Sequence, residues 1–377
     1  MRILRIFLGI STIIYLISFN VHSTEIKTGY KNGFYIKTGD GKFSMKLKNC
    51  LQFSAFYNIY YNNVKPSQRS FQIKRARLYL SGNAFYSWLN YKIQLQLEKS
   101  QIAVRDLFID FTFLKEIQPK IGQFKVPFDR EYLTSPAYLQ LIDRSLTNEE
   151  FRAGRDIGFS LNGNISDRIE YSIVIFNGSG KNSENLDNSF LYAGRLMLTP
   201  NGKFSYSQSS LEFPERRILA FGIGIIYFPR FDPLRENLDD RKHLASMVME
   251  ASGGKSNVFQ ITTDIAIKYK GFSFEGDFHF RNINPENINI ESVQALGFRI
   301  QAGYLIFKKF EFAFRYSFLN PSTQKNKDLK HELTAGINYF ILKHLLKFQF
   351  NSFYFIFENP VKTEKQTRFL AQLQIYF

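Results

Sequence analysis

The sequence predicts an all-β chain, a transmembrane antiparallel β-barrel of about sixteen strands. Three observations carry this expectation. Apolar and polar residues alternate with a period of two through most of the chain, so that each strand has one apolar and one polar face. Long polar connections follow the odd strands and tight turns follow the even ones, which places the long loops at one end of the barrel. Phe (41) and Tyr (21) are abundant and Trp (1) is not, and no segment after residue 23 reaches the roughly 18 uninterrupted apolar residues that a spanning helix requires.

At the amino end, Arg2 and Arg5 precede an apolar run from Ile6 to Phe19, and Val21-His22-Ser23 follows. Residues 1–23 therefore read as a secretory signal peptide, since the apolar stretch is too short to span. Without them the formal charge of +16 loses Arg2 and Arg5 and becomes +14. Residues 24–49, with Lys37-Thr38-Gly39-Asp40-Gly41-Lys42 between two short alternations, read as an N-terminal hairpin or tail, and residues 50–377 as the barrel. Strands are expected at 50–61, 71–82, 88–98, 105–114, 117–123, 156–163, 169–176, 191–199, 218–228, 258–269, 272–281, 293–305, 310–319, 331–342, 345–357 and 366–377. The last of these sets Phe369, Ala371, Leu373, Ile375 and Phe377 on one face against Arg368, Gln372 and Gln374 on the other. One connection breaks the rule: residues 200–217 should be a short turn. Either a strand is miscounted there or the turn is elaborated.

The alternation also says which face meets lipid. Phe272, Phe274, Phe278 and Phe280 alternate with Ser273, Glu275, Asp277 and His279, and Phe310, Phe312, Phe314 and Phe318 with Glu311, Arg315 and Ser317. A soluble sandwich would turn its polar face outward and would not need so much aromatic surface. At sixteen strands the interior holds water rather than a side-chain core. Cys50 is the single cysteine, which excludes a disulfide framework and a Cys-based metal site.

Between Phe71 and Gly163 stand FQIKRARLYLSGNAFYSWLNYKIQLQLE, then VRDLFIDF, then PKIGQFKVPFDREYLTSPAYLQLIDRSLTNEEFRAGRDIGFSLNG. This stretch, about a quarter of the chain, resembles the phosphate-selective porin O and P family through RARL, RDLFIDF, GQFKVPF and Asp143-Arg144-Ser145 in that order. The resemblance implies a sixteen-stranded trimeric channel in the outer membrane of a Gram-negative bacterium, with its third long loop folded inward and with basic residues passing phosphate or polyphosphate. Arg75 and Arg77 in RARL and Lys125 in GQFK are the basic positions it marks.

The residues point to the same loop independently. Residues 124–155 form the longest connection, and a long loop without strand pattern is usually functional or disordered. Phe128, Tyr132, Leu133, Tyr138, Leu139, Leu141, Ile142, Leu146 and Phe151 supply apolar anchors and Pro127 and Pro136 stiffen it, which favours an ordered, inward-folded segment. Its charges balance, with Lys125, Arg130, Arg144, Arg152 and Arg155 against Asp129, Glu131, Asp143, Glu149 and Glu150.

If the apolar parity faces lipid, the lumen wall carries Arg75, Arg77, Lys92, Lys120, Arg195, Lys268, Arg281, Arg299, Arg315, Lys347 and Arg368. Against them stand Glu98, Asp106, Asp110, Asp156, Glu170, Asp264, Glu275, Asp277, Glu311 and Glu332. The wall is nearly neutral, so selectivity must come from arrangement. Closing the barrel sets the last strand beside the first, which gathers Arg75, Arg77, Lys92, Lys347 and Arg368 into a basic stripe, and the ion pathway is expected to run along it and past Lys125, which the resemblance marks. The counter-charges are Glu98, Asp106 and Asp110. The competing reading is that Arg75 and Arg77 pair with Asp106 and Asp110 and merely hold the wall.

Net basic charge could also serve lipopolysaccharide at the rim through Lys74, Arg105, Lys308 or Lys309, and it is too dispersed for nucleic acid. His243, His279, His331 and His344 are scattered, with no orienting partner for a hydrolase, no metal-ligand spacing and no phosphate-cradling Gly loop, so neither an enzyme nor a cofactor is expected. Small residues such as Gly222 and Gly224 on lipid-facing positions would suit a subunit contact in a homotrimer. The expected function is passive passage of small solutes with a preference for anions such as phosphate, and a non-conducting surface-binding barrel is the alternative. On an unboiled gel the purified protein should migrate faster than the boiled one, a shift that a soluble sandwich lacks.

Overall fold

The structure is a computed structural model that describes residues 25–61, 65–98, 102–185, 188–234 and 241–377. The expected signal peptide lies outside the described residues. Eighteen strands follow one another: β1 (Ile26–Tyr30), β2 (Phe34–Thr38), β3 (Ser44–Tyr60), β4 (Gln68–Asn83), β5 (Leu89–Gln96), β6 (Ala103–Phe111), β7 (Gln118–Lys125), β8 (Arg155–Ile165), β9 (Ile169–Phe176), β10 (Leu191–Leu198), β11 (Ile218–Phe231), β12 (Ser256–Tyr269), β13 (Phe272–Pro285), β14 (Val293–Ile306), β15 (Phe310–Asn320), β16 (Lys330–Leu342), β17 (Leu346–Phe357) and β18 (Glu364–Tyr376). From β3 onward each pairs antiparallel with the next, and β18 pairs with β3 from Gln366↔Tyr60 to Tyr376↔Cys50. The sheet is thus a closed sixteen-stranded barrel. Each expected strand is present, and the largest shift is at β3, which begins at Ser44 rather than at residue 50. Its first residues, Ser44 to Leu47, pair with β2, whose hairpin with β1 extends the sheet below β18.

Alternation explains the wall. On β13, Ser273, Glu275, Asp277, His279 and Arg281 are buried, and Phe272 and Phe278 are exposed. On β15, Phe314 is 62% exposed between buried Ala313 and Arg315. Such a belt of outward aromatic rings is stable only in hydrocarbon. At one end the turns are tight: Lys270 and Gly271 both have positive φ (43° and 83°), the requirement of a two-residue hairpin whose twist matches its strands.

Residues 126–154, between β7 and β8, are the segment that positions the site. They contain two short helices, α1 (Arg130–Leu133) and α2 (Leu146–Phe151), around a 3-10 turn (Pro136–Tyr138). Asp129 and Ser145 cap the helices by accepting from the backbone N–H of Tyr132 and Asn148. Of the apolar residues read as anchors, Phe128, Tyr132, Leu139, Leu141, Ile142 and Phe151 are buried, and Leu133, Tyr138 and Leu146 are half-buried. The segment bonds to side chains from β12 round to β18. Arg130 Nε donates to Asp264 (2.7 Å), Gln140 Nε2 to Ser273 (2.9 Å) and Glu311 (2.8 Å), the Ile142 N–H to Asn351 (2.7 Å) and the Leu146 N–H to Glu332 (2.7 Å). Gln374 Nε2 donates to the Ala137 carbonyl at 3.1 Å. A third helix, α3 (Lys242–Ser252), buries Leu244, Ala245 and Val248 in the same apolar cluster as Phe151, Val258 and Ile283.

One expectation needs correction, and of the two readings of residues 200–217 the elaborated turn is the one present. Gly222 and Gly224 do not face lipid. A Cβ at Gly222 would collide with Arg195 and Asp264, and one at Gly224 with the Phe128 carbonyl. These glycines lie on the inward parity, while Phe221, Ile223 and Ile225 point out, and the missing side chains make room for the 126–154 segment. Nor does the connection from residue 199 to 217 hide a strand. It is irregular and packs Phe204, Gln208, Ser209 and Ser210 into buried positions.

Asp264 holds two guanidinium groups at once, Arg130 at 2.7 Å and Arg195 at 2.6 Å, all three side chains out of water. Removing one partner of a buried ion pair leaves an uncompensated charge, so Asp264→Asn should cost about 3–5 kcal/mol. The check is a lowered temperature for loss of the compact, heat-modifiable band.

Candidate functional site

Most of the wall charge is consumed by the 126–154 segment and its neighbours. Arg281 pairs with Glu150 (2.9 Å), and Arg299 with Asp277 (2.5 Å), Glu275 (3.2 Å) and Glu131 (3.6 Å). Arg315 pairs with Glu332 (2.5 Å) and Glu131 (3.6 Å), and Arg241 with Asp156 (2.8 Å). All these groups are buried, so each charge requires its partner. The pairs of Arg281, Arg299 and Arg315 fill the interior beside β13–β16, and the Arg241–Asp156 pair lies at the start of β8.

Two cavities border the interior, one beside β4–β10 and one bounded by β4, β16, β17, β18 and the 126–154 segment. The first, of about 350 Å³, is lined by Arg77, Lys92, Lys120, Lys125, Arg155 and Arg195, by the carboxylates Asp106 and Glu170, and by Tyr79, Phe108, Phe124, Tyr171 and Tyr206. Lys92, Lys120 and Glu170 lie near the starts of β5, β7 and β9, which rise from the short turns, so this cavity belongs to the short-turn end. The second, of about 880 Å³, is lined by Lys74, Arg144 and Arg368 with Glu98, Asp143, Glu149 and Glu332, and it belongs to the long-loop end. Arg77 of the first and Glu98 of the second form an ion pair at 3.7 Å, so that pair stands between them.

The residues read from the sequence divide accordingly. Arg77, Lys92 and Lys125 line the inner cavity and Arg368 the outer one. Arg75 donates to Gln52 Oε1 at 2.7 Å, and Gln52 in turn bonds Gln374. Lys125 donates to the carbonyls of Tyr132 (2.5 Å) and Leu133 (3.0 Å), and Arg144 to the Thr134 carbonyl (2.7 Å), so neutral oxygens hold both cations. Lys347 is misplaced in the stripe: it is fully buried and donates to the Leu139 carbonyl at 2.8 Å, covered by the 126–154 segment. Among the counter-charges, Asp106 accepts from Arg155 (2.7 Å) and pairs with Lys92 (3.0 Å), and Asp110 stands 4.0 Å from Lys120. Arg75 and Arg77 therefore do not pair with Asp106 and Asp110 as the wall-holding reading supposed. Of the rim residues, Lys74 is turned to Asp143 (2.5 Å), and Lys308 and Lys309 sit in a short turn at the opposite end from the long loops.

Sequence reasoning placed Lys120 and Arg195 on the wall but not in the pathway, and counted Arg155 among balanced loop charges. Tyr206 was missed entirely. Its only signal was the excess length of residues 200–217. Burial pushes the Tyr206 phenol up, with Arg195 opposing. Burial also works against ionised Asp143, but Lys74, Arg368 and Arg75 outweigh it and hold that carboxyl well below the usual range.

A closed sixteen-stranded barrel with an aromatic outer belt and a charged interior is an outer-membrane channel. A family model described as phosphate-selective porin O and P matches residues 47–377, and the chain belongs to that family. An uncharacterized protein of Aquifex aeolicus (strain VF5) is 25% identical over 393 residues, covering 89% of this chain and 87% of that one. Among solved structures, the anion-selective porin from Comamonas acidovorans aligns with a TM-score of 0.63 at 10% identity, over 89% of this chain and all of that one (100%). The outer-membrane channel DcaP of Acinetobacter baumannii aligns with a TM-score of 0.61 at 11% identity, over 90% and 99%. These likenesses share the fold. The protein is a porin of the Gram-negative outer membrane, with the family and the architecture of a channel rather than of an enzyme.

Because the native Asp143 carboxyl ionises below its unfolded value, its ion pairs are intact above about pH 4 and weaken only as pH falls further. Asp143→Asn, which strands Lys74 and Arg368, should destabilise the barrel by about 1–3 kcal/mol. Thermal melts should show that gap between pH 8 and pH 4, and closing only at lower pH.

Proposed function

We propose that this porin passes small solutes by passive diffusion with a preference for anions such as phosphate or polyphosphate, through a passage narrowed by an inward-folded third loop. The observation that carries this reading is the lining of the inner cavity, with six cations against two carboxylates. Several Lys and Arg on one wall lower the energy of an anion within roughly a Debye length, about 8–10 Å at ordinary salt, which spans a narrowed pore. Partial pairing serves passage, because a site that held anions too tightly would not release them. Lys125 and Arg144 are held by carbonyl oxygens rather than by carboxylates, and the planar donors of an Arg such as Arg77 suit two phosphate oxygens at once.

The family name and the anion selectivity stated for the Comamonas porin agree with this preference. The proposal includes a homotrimer and contact with outer-membrane lipid and lipopolysaccharide. The apolar outer groove of β3, β4 and β16–β18, bordered by Phe53, Phe71, Ile73, Phe348 and Leu373, is the surface that would meet a neighbouring subunit or lipid.

Reconstituted in a planar bilayer, the wild-type protein should show stepwise conductance, and phosphate titrated into chloride should reduce the chloride current. Charge reversal of Arg75 and Arg77 to Glu should move the reversal potential toward cation preference, with Lys120→Gln producing a smaller shift in the same direction. Wild-type ion preference in both variants would refute the anion reading, and a folded protein without conductance would favour the surface-binding alternative.

A further inference from the structure

We infer that the connection between β10 and β11, residues 199–217, is a second constriction that rises from the periplasmic end and leaves Tyr206 at the edge of the open passage. This rests on the channel reading above and goes beyond it.

The other short-turn connections include the two residues 270–271 and the three residues 307–309. Such a turn needs no more to join neighbouring antiparallel strands. The extra length of 199–217 is spent inside the barrel. Gln208 and Ser209 are polar and nearly fully buried, which is stable only with partners. The Gln208 N–H donates to the Tyr138 carbonyl (3.1 Å), and its side-chain oxygen accepts from the Gln140 N–H (2.9 Å). Gln208 Nε2 donates to Glu275 (3.0 Å) and Ser209 Oγ to Glu311 (2.8 Å). Ser207 shares a hydrogen bond with His344 (2.8 Å), and Lys268 donates to the Ser205 carbonyl (3.0 Å). The periplasmic segment thus meets the third loop back to back, on the same half of the wall.

Its other side faces the passage. Tyr206 lines the inner cavity beside Lys125, Arg195 and Met197. The Arg130 guanidinium sits 5.0 Å from the Phe204 ring centroid and 5.4 Å from that of Tyr206, an arrangement that fixes both rings. Residues 204–211 carry no charge, so the segment sets width rather than sign. A solute that has passed the Arg77–Glu98 pair leaves past Tyr206.

The test uses the full-length protein in planar bilayers. Replacing residues 204–211 by a short Gly-Ser linker should raise single-channel conductance several-fold and weaken ion preference, with heat-modifiable migration retained. In Tyr206→Cys, a negatively charged thiol reagent should lower conductance more than a neutral one of the same size, because the adduct sits among the cations that draw anions. Cys50, the single native cysteine, is buried and serves as the unreactive background. A folded linker variant with wild-type conductance, or a modified Tyr206→Cys channel with unchanged current, overturns the inference. If the linker variant fails to fold, the cysteine experiment decides alone. A wild-type protein that never conducts removes the channel reading and this inference together, whereas a conducting wild type with insensitive variants removes the inference alone.

Discussion

Everything in this molecule depends on the seam between β18 and β3. Hydrocarbon offers backbone N–H and C=O groups no partners, so a sheet that crosses a membrane must leave no edge. The ladder from Gln366↔Tyr60 to Tyr376↔Cys50 removes that edge, and once it is closed the two faces of every strand acquire opposite solvents. Aromatic and aliphatic side chains then gain by pointing out and polar ones by pointing in. The β1–β2 hairpin is secured by the same strand, because β3 continues past the seam and offers β2 its first residues.

Closure creates a second problem, an interior too wide for side chains alone to fill. The chain answers it from both ends. The outer segment 126–154 brings its own acids and bases to the wall, and the inner segment 199–217 brings neutral amides and hydroxyls. Burying so many charges is not a route to great stability, since desolvation can exceed the attraction recovered. What it supplies is position: Glu131 bridges Arg299 and Arg315, Asp264 bridges Arg130 and Arg195, and neither acid has freedom to move without stranding a cation. Once that half is neutralised, the cations that remain near open space are those of β4–β10 together with Arg144 and Arg368.

The strands were legible because a period of two is a local signal, and each strand repeats it. The lining was legible only in part. Parity says which face a residue is on, and it placed Arg77 and Lys92 on the inward face that lines the inner cavity. It does not say what covers that face, which is why Lys347 was misjudged: its cover, Leu139, lies far away in sequence. Pairing partners failed for the same reason, since Asp106 finds Arg155 of β8 rather than a residue of β4. Some of this was written in the chain. Inward glycines such as Gly224 and Gly303 stand where Phe128 and Gln140 approach the wall, and a polar-parity glycine in a wide barrel is a mark of something docked against it. Gly222 and Gly224 were instead assigned to the lipid side, where small residues also have a use.

The asymmetric filling separates two tasks around the circumference. Substitutions on the β12–β17 arc disturb what keeps the infolded segments seated, so they change whether the protein survives extraction or heat. Substitutions at the exposed ends of cavity-lining side chains change the charge that borders open space. A change at Lys92 or Lys120, whose partners Asp106 and Asp110 both lie on β6, can therefore alter that border without stranding an acid on the opposite arc.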